Sequence, residues 1–302
     1  MIPREEEKIN DKTIKKYYYL KELKGHKDRV LSLIKLQSGW IATGSYDSII
    51  RIWIPEANNY FKEIQEIGAV QCLLEFEPDK ILSGTTENNI CLRDIHSEND
   101  DDYIYNFIGH YLWVNCLIKC SDKYFASCSN DGDIRVWNFE STKCENTLQG
   151  HVGSVLALIL LNDGKLCLGG ADNTIKIWNW EENMCEISLE GHSNWVKCLC
   201  ELKNGYILSG SDDKTIKMWD EDRIVEVLIG HGGSVRSICQ INDNIFASAS
   251  FDKTIKIWDI QKRSCIDTLN GHESYVIGII YHQAKNCLIS ISNDKTIKVW
   301  KI

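Results

Sequence analysis

Ser209, His192 and Asp213 are the residue types of a hydrolytic triad: a hydroxyl, an imidazole base and a carboxylate to orient it. The same types return at nearly the same spacing as Ser127, His110 and Asp131, as Ser248, His231 and Asp252, and as Ser290, His272 and Asp294, with Thr43, His26 and Asp47 as a fifth set. A Trp follows each Asp by six residues, at Trp53, Trp137, Trp219, Trp258 and Trp300. A catalytic hydroxyl must be exposed and must face an oxyanion hole, and an active site is built once. Five copies of one set argue for a structural role.

The elements that would hold these residues are internal repeats, whose detection precedes any other reading. "SGSDDKTIKMWD" at Ser209 is echoed by "SASFDKTIKIWD" at Ser248 and "SISNDKTIKVW" at Ser290. Gly-His pairs begin at Gly25, Gly109, Gly150, Gly191, Gly230 and Gly271, spaced 39 to 41 residues apart except for one gap of 84. That gap fits two units. The hidden one is "VQCLLEF…KILSGTTENNICLRD", with Val70 matching Val30 and Glu87 in the place of the Asp. Each of the seven units carries four short β-rich runs, as in "WVKCLCEL", "GYILSGS", "TIKMWD" and "RIVEVLIG", punctuated by turn residues. A lone four-stranded sheet cannot hide two apolar faces, whereas seven stacked around a channel can.

The units resemble WD40 repeats over about residues 14–302. The resemblance implies an all-β, seven-bladed β-propeller of four-stranded antiparallel blades. The expected units are 25–66, 67–108, 109–149, 150–190, 191–229, 230–270 and 271–302, with residues 1–13 as a flexible tail. In the family, the His, the hydroxyl, the turn Asp and the Trp form a buried hydrogen-bond network. The chemistry agrees: Trp only donates, hydroxyl and neutral His do both, and an ionised Asp only accepts. Two units depart. The fourth has His151, Asp172 and Trp178 but Leu168 for the hydroxyl; the second lacks His and carries Arg93 for the Trp. Those two blades are expected to be the least rigid, or to be stiffened in another way.

The seventh unit has three strands, so its fourth is sought at the other end of the chain, in about residues 17–24. "YYLKELKGH" reads like the fourth strands of the other units, and its pairing beside Trp300 would close the ring. If the first strand is innermost, the Gly-His loop and the turn before the Asp share one face, here called the top. Two positions report on that face: the residue before the first-strand Val and the residue before the turn Asp. Together they supply Arg29, Tyr46, Trp113, Trp195, Asp212, Phe251 and Tyr275, with Arg236 close by. Trp and Tyr are frequent anchors of binding surfaces. The other reading has these rings packing down over the Gly-His loops.

Bulk properties exclude several classes. The 302-residue chain has net charge −9 and no basic stripe, against nucleic acid as a partner. No apolar run approaches a membrane span or a signal peptide. The 13 cysteines are therefore expected as reduced thiols in the cytoplasm or nucleus. Cys144, Cys185 and Cys265, each seven residues after a repeat Trp, read as packing positions. The acidic stretch Ser97–Asp102 reads as a solvated loop, Trp40 and Trp180 as local packing, and His96 and His282 as surface residues. No metal or cofactor site is expected. The function expected is a non-catalytic scaffold that binds partner proteins on its top face within a multi-subunit complex. The alternatives are a reader of a modified or basic peptide, drawing on Trp113, Trp195, Phe251, Tyr275 and Asp212, and, less supported, an enzyme with a channel site.

Overall fold

Every repeat unit forms one antiparallel four-stranded sheet, and seven such sheets make up the structure. It is a computed structural model that describes residues 17–54, 57, 59–97 and 104–302. The flexible-tail expectation for 1–13, and all of the acidic stretch but Ser97, lie outside these residues. Blade 1 is Val30–Lys35, Ile41–Ser45, Ile49–Trp53 and Tyr60–Gln65. Blade 2, the hidden unit, is Val70–Glu77, Lys80–Thr85, Ile90–Asp94 and the short Tyr105–Phe107. The inner strands of blades 3 to 7 begin at Val114, Val155, Val196, Val235 and Val276. Each inner strand lies against those of both neighbours, the seventh against the first, so the ring is closed.

Closure comes from the N-terminal strand Tyr18–Lys24. It pairs antiparallel with Thr296–Lys301, placing Leu23 opposite Ile297 and Tyr19 opposite Trp300. Two further bonds cross the same seam. Lys295 Nζ donates to the Lys27 carbonyl at 2.9 Å, and His282 Nε2 donates to the Gly39 carbonyl at 3.1 Å. His282 is thus buried, not a surface residue. Its partner is 243 residues away in sequence, which the repeat pattern could not reveal. His96 does lie at the surface, beside Asp79.

The apolar core is divided into layers between neighbouring blades. One holds Leu82, Ile90 and Phe107 of blade 2 with Val114, Phe125 and Trp137 of blade 3. Another holds Leu23, Ile289 and Ile297 of blade 7 with Val30, Ile41 and Trp53 of blade 1. The first-strand Val is the tightest point of the stack. A Cβ at Gly44, Gly84, Gly169 or Gly210 would stand 2.3–2.8 Å from Val70, Val114, Val196 or Val235 of the next blade, so glycine lets the sheets meet there.

The unmatched tryptophans pack locally. Trp40 lies 4.9 Å from Phe61, and Trp180 donates to the Gly164 carbonyl at 3.0 Å. Cys144, Cys185 and Cys265 each lie opposite their blade's Trp across a bulge. Cys144 and Cys265 pack against the core, but Cys185 is exposed, so the packing reading fails for it.

Candidate functional site: the top face and the networks beneath it

The repeated polar sets form chains of hydrogen bonds in five blades. In blade 5, Trp219 Nε1 donates to Ser209 Oγ at 2.7 Å, Ser209 lies 2.7 Å from His192 Nε2, and His192 Nδ1 lies 2.7 Å from Asp213. Blades 6 and 7 repeat this through Trp258, Ser248, His231 and Asp252 and through Trp300, Ser290, His272 and Asp294. Blades 1 and 3 do so with Trp53, Thr43, His26 and Asp47 and with Trp137, Ser127, His110 and Asp131. The protons run one way, Trp to hydroxyl to His to Asp, because Trp can only donate and the carboxylate only accepts. The five hydroxyls are wholly buried, and each is already held by an indole N–H. A substrate carbonyl has no route to them.

The Asp also ties down the top loops. Asp213 accepts the backbone N–H groups of Ser193 and Thr215. Burial alone would raise these carboxyls, but the bonds from His, backbone and neighbouring hydroxyls outweigh it. They hold Asp47, Asp213, Asp252 and Asp294 far below the usual range, and Asp131 at about 2. Burial lowers the His26 and His151 imidazoles against the pull of their Asp partners, favouring the neutral ring. Two members of the network were missed in sequence. Thr174, Thr215, Thr254 and Thr296, two residues after the Asp, donate to it at 2.5–2.8 Å. Ser211 and its counterparts, two residues before, accept its backbone N–H. The recurring Asp-Lys-Thr words were the available signal. The intervening Lys214, Lys253 and Lys295 sit at φ of 71–72°, where the turn requires the left-handed region.

The two departing blades differ from each other. In blade 4, Asp172 still holds His151 at 2.9 Å, but His151 Nε2 and Trp178 Nε1 are buried without a partner, because Leu168 offers no oxygen. In blade 2, Glu66 occupies the His position and Arg93 the Trp position. Glu66 Oε1 accepts from Ser83 Oγ at 2.8 Å and from Arg93 Nε at 3.0 Å, and the pair is buried. An ion pair there replaces the His-Ser-Trp chain. A graded prediction follows. His192→Ala leaves the buried Ser209 hydroxyl without its acceptor and takes one donor from Asp213, at an expected cost of about 1–3 kcal/mol. His151→Ala is expected to cost less, since its Nε2 bonds to nothing. Melting temperatures of the two variants check the order, and equal losses would refute it.

The two top-face positions meet in every blade: the residue before the Asp position donates its N–H to the carbonyl of the residue before the Val, at 2.8–3.0 Å. This sets Tyr46 beside Arg29, whose guanidinium carbon lies 4.2 Å from its ring, and Asp212 beside Trp195. Across the boundary between blades 6 and 7, Phe251 stacks on Tyr275 at 4.3 Å, and the Arg236 guanidinium carbon lies 4.9 Å from the Phe251 ring centre. Lys197 Nζ lies 4.4 Å from the Trp195 ring. The rings therefore pack on one another and on the protein's own cations, while Trp113, Trp195, Tyr275 and Tyr46 stay substantially exposed.

A second aromatic and aliphatic group was missed. The residue after the network His is Tyr111 in blade 3 and Val152 in blade 4, and the matching residue of blade 2 is Ile67; they are 75%, 82% and 64% exposed. Blades 5, 6, 7 and 1 carry Ser193, Gly232, Glu273 and Lys27 there. Ile108, Leu112 and Trp113 lie on the same loop as Tyr111 and are exposed as well. The position after His, one step beyond the Gly-His mark, was the overlooked signal.

A family model described as "WD domain, G-beta repeat" matches residues 17–53, 101–138, 142–179, 183–220, 222–259 and 263–301. The stretch it passes over, residues 54–100, contains the first three strands of blade 2, with their ion pair. The target of rapamycin complex subunit LST8-1 of Arabidopsis thaliana is 29% identical over 122 residues, 40% of this chain and 39% of that protein. An F-box protein of Saccharomyces cerevisiae is 42% identical over 59 residues, 19% of this chain and 9% of that protein. The matches thus span about two-fifths or less of these relatives. Among solved structures, the WD40 beta propeller domain of Doa1 superposes with a TM-score of 0.84 at 22% identity, covering 94% of this chain and 97% of that one.

Proposed function

The chain belongs to the WD40-repeat family, and from that membership and its top face we propose that it is a non-catalytic scaffold, holding peptides or loops of partner proteins on that face. The observation that carries the reading is the run of exposed apolar side chains on consecutive blades, Ile67, Tyr111, Leu112, Trp113 and Val152. Exposed apolar side chains on neighbouring blades, with the Tyr111 and Val152 backbone N–H groups held by Asp131 and Asp172, suit a binding surface. One relative is by name a subunit of a complex, which supports a place for this protein as one member of a larger assembly. Thirteen free thiols, only one of them exposed, suit a reducing compartment, the cytoplasm or nucleus. A reader of basic or methylated tails would need its rings open to a foreign cation. Arg29, Lys197 and Arg236 already lie over Tyr46, Trp195 and Phe251.

The test is a Tyr111→Ser/Trp113→Ser variant. Both side chains are exposed, so melting should shift little. Two hot-spot losses of about 2 kcal/mol each would weaken a partner roughly a thousandfold if additive. Affinity purification from the native cells should recover partners with the parent protein and lose them with the variant. Recovery of the same partners by a well-folded variant would overturn the reading.

A further inference from the structure

The second residue of each inner strand faces the central channel, and at its mouth encloses a cavity of about 290 Å³. Five of these seven positions are uncharged: Leu31, Gln71, Asn115, Leu156 and Ile277. The other two, Lys197 and Arg236, are cations on adjacent strands of a chain whose net charge is −9. They share one carboxylate. Asp212 lies 3.7 Å from Lys197 Nζ and is also held by the Ser234 hydroxyl. Arg236 Nε is buried and donates to nothing among the described residues, although Arg236 lines the cavity. Burial pushes the Lys197 ammonium down to about 8, and repulsion from Arg236 adds to the shift against the pull of Asp212. Lys197 thus has Asp212 alone as its counter-charge, and Arg236 makes no ion pair within 4 Å among the described residues. An unmet buried donor is costly, and a charge-assisted bond to it is correspondingly strong.

Resting on the top-face scaffold reading, we propose that the channel mouth is a carboxylate site, which takes the Glu or Asp side chain of an acidic partner peptide between Lys197 and Arg236. Two positive charges against one Asp leave a single charge to match, which suits a carboxylate monoanion better than a phosphate dianion. Asn115 and Gln71 add neutral polar groups to the wall. The exposed Trp195 ring lies beside Lys197, and the exposed Tyr275 ring stacks on the Phe251 that Arg236 overlies, so both are placed to cover the peptide's backbone.

The experiment uses the full chain and an array of twelve-residue peptides, in which one central position is Glu, Gln, phosphoserine or Lys in otherwise identical sequences. Peptides with Glu should bind best. Arg236→Met should weaken them by about thirtyfold or more, as expected for a buried charge partner, and leave the Gln peptides unchanged. Its melting temperature should hold or rise, since the substitution removes an unpartnered donor. Lys197→Met should act in the same direction. Preference for phosphoserine over Glu would overturn the carboxylate assignment. Preference for Lys, no preference for Glu, or Glu binding that survives Arg236→Met would overturn the site. The Tyr111→Ser/Trp113→Ser variant runs in parallel. Its loss of all peptide binding without a Glu preference would leave the scaffold reading standing and remove this one. Binding indifferent to all of these substitutions would remove both.

Discussion

Glu66→Gln is expected to cost about 3–5 kcal/mol, because it removes the carboxylate to which the buried Arg93 Nε is bonded. Arg93→Met should cost a comparable amount by stranding Glu66. The interest lies in the repair. In the other six blades a Trp fills the place of Arg93, and the residue before the His is always Gly. A Cβ on that Gly would stand 2.7–3.2 Å from the Trp ring. Blade 2 has no Trp, and there the residue is Gln65, with a full side chain. Rebuilding the common network therefore takes three changes together: Gln65→Gly, Glu66→His and Arg93→Trp. Ser83 is already in place to bridge the new pair. The triple variant should recover most of the stability lost by either single change, since exchange of a whole buried ion pair is often neutral. The double variant that keeps Gln65 should not, because its Cβ meets the indole. Urea unfolding of these four variants beside the parent ranks their stabilities. Equal stability of double and triple variants would show that the Gly is not there for the Trp.

The second large effect is expected at the seam. A chain beginning at Gly25, compared with one beginning at Tyr17, loses the strand that covers Thr296–Lys301 and removes Leu23, 1% exposed, from the layer between blades 7 and 1. The seventh blade then presents an unpaired edge to solvent, a template for aggregation. Light scattering should show association on warming, and the cooperative transition should broaden. Leu23→Ala provides a graded version, with an expected loss of about 2–5 kcal/mol. A soluble Gly25 variant with unchanged melting would mean that the strand contributes nothing to closure.

The repeat made much of this legible. Its period, its four strand runs and its paired top positions lead to the blades, the strand order and the closing strand. Its mark was the Gly-His pair, yet the sequence alone offers no reason for the Gly, since the reason is a Trp ring some 28 residues later in the same blade. Glu66 was missed because it stands where a His was sought. His282 was misread because its carbonyl partner belongs to the far side of the seam. The exposed Ile67, Tyr111 and Val152 were passed over because only two positions per unit were taken to report on the top. Residues that obey the repeat are readable from one another. Those that break it depend on partners the repeat does not name, Arg93 for Glu66 and the Gly39 carbonyl for His282.

The closing strand also bears on the order of folding. Lys298 and Glu22 make a bond across 276 residues of chain, whereas an ordinary hairpin spans fewer than ten. By loop-closure entropy, that contact costs roughly 3 kcal/mol more to form from the unfolded state than a hairpin does. Six blades are made entirely of neighbouring segments and can assemble as each is completed. Their stacking then brings Tyr18–Lys24 towards the seventh blade and removes most of that cost in advance. The strand nearest the start of the chain is therefore the last to find its partner. On a ribosome it would wait, with Leu23 and the adjoining Tyr17 uncovered, until Thr296–Lys301 had emerged. Refolding should accordingly show a late, slow step reported by the Tyr19–Trp300 ring contact, after the indoles of the other blades have reached their final fluorescence.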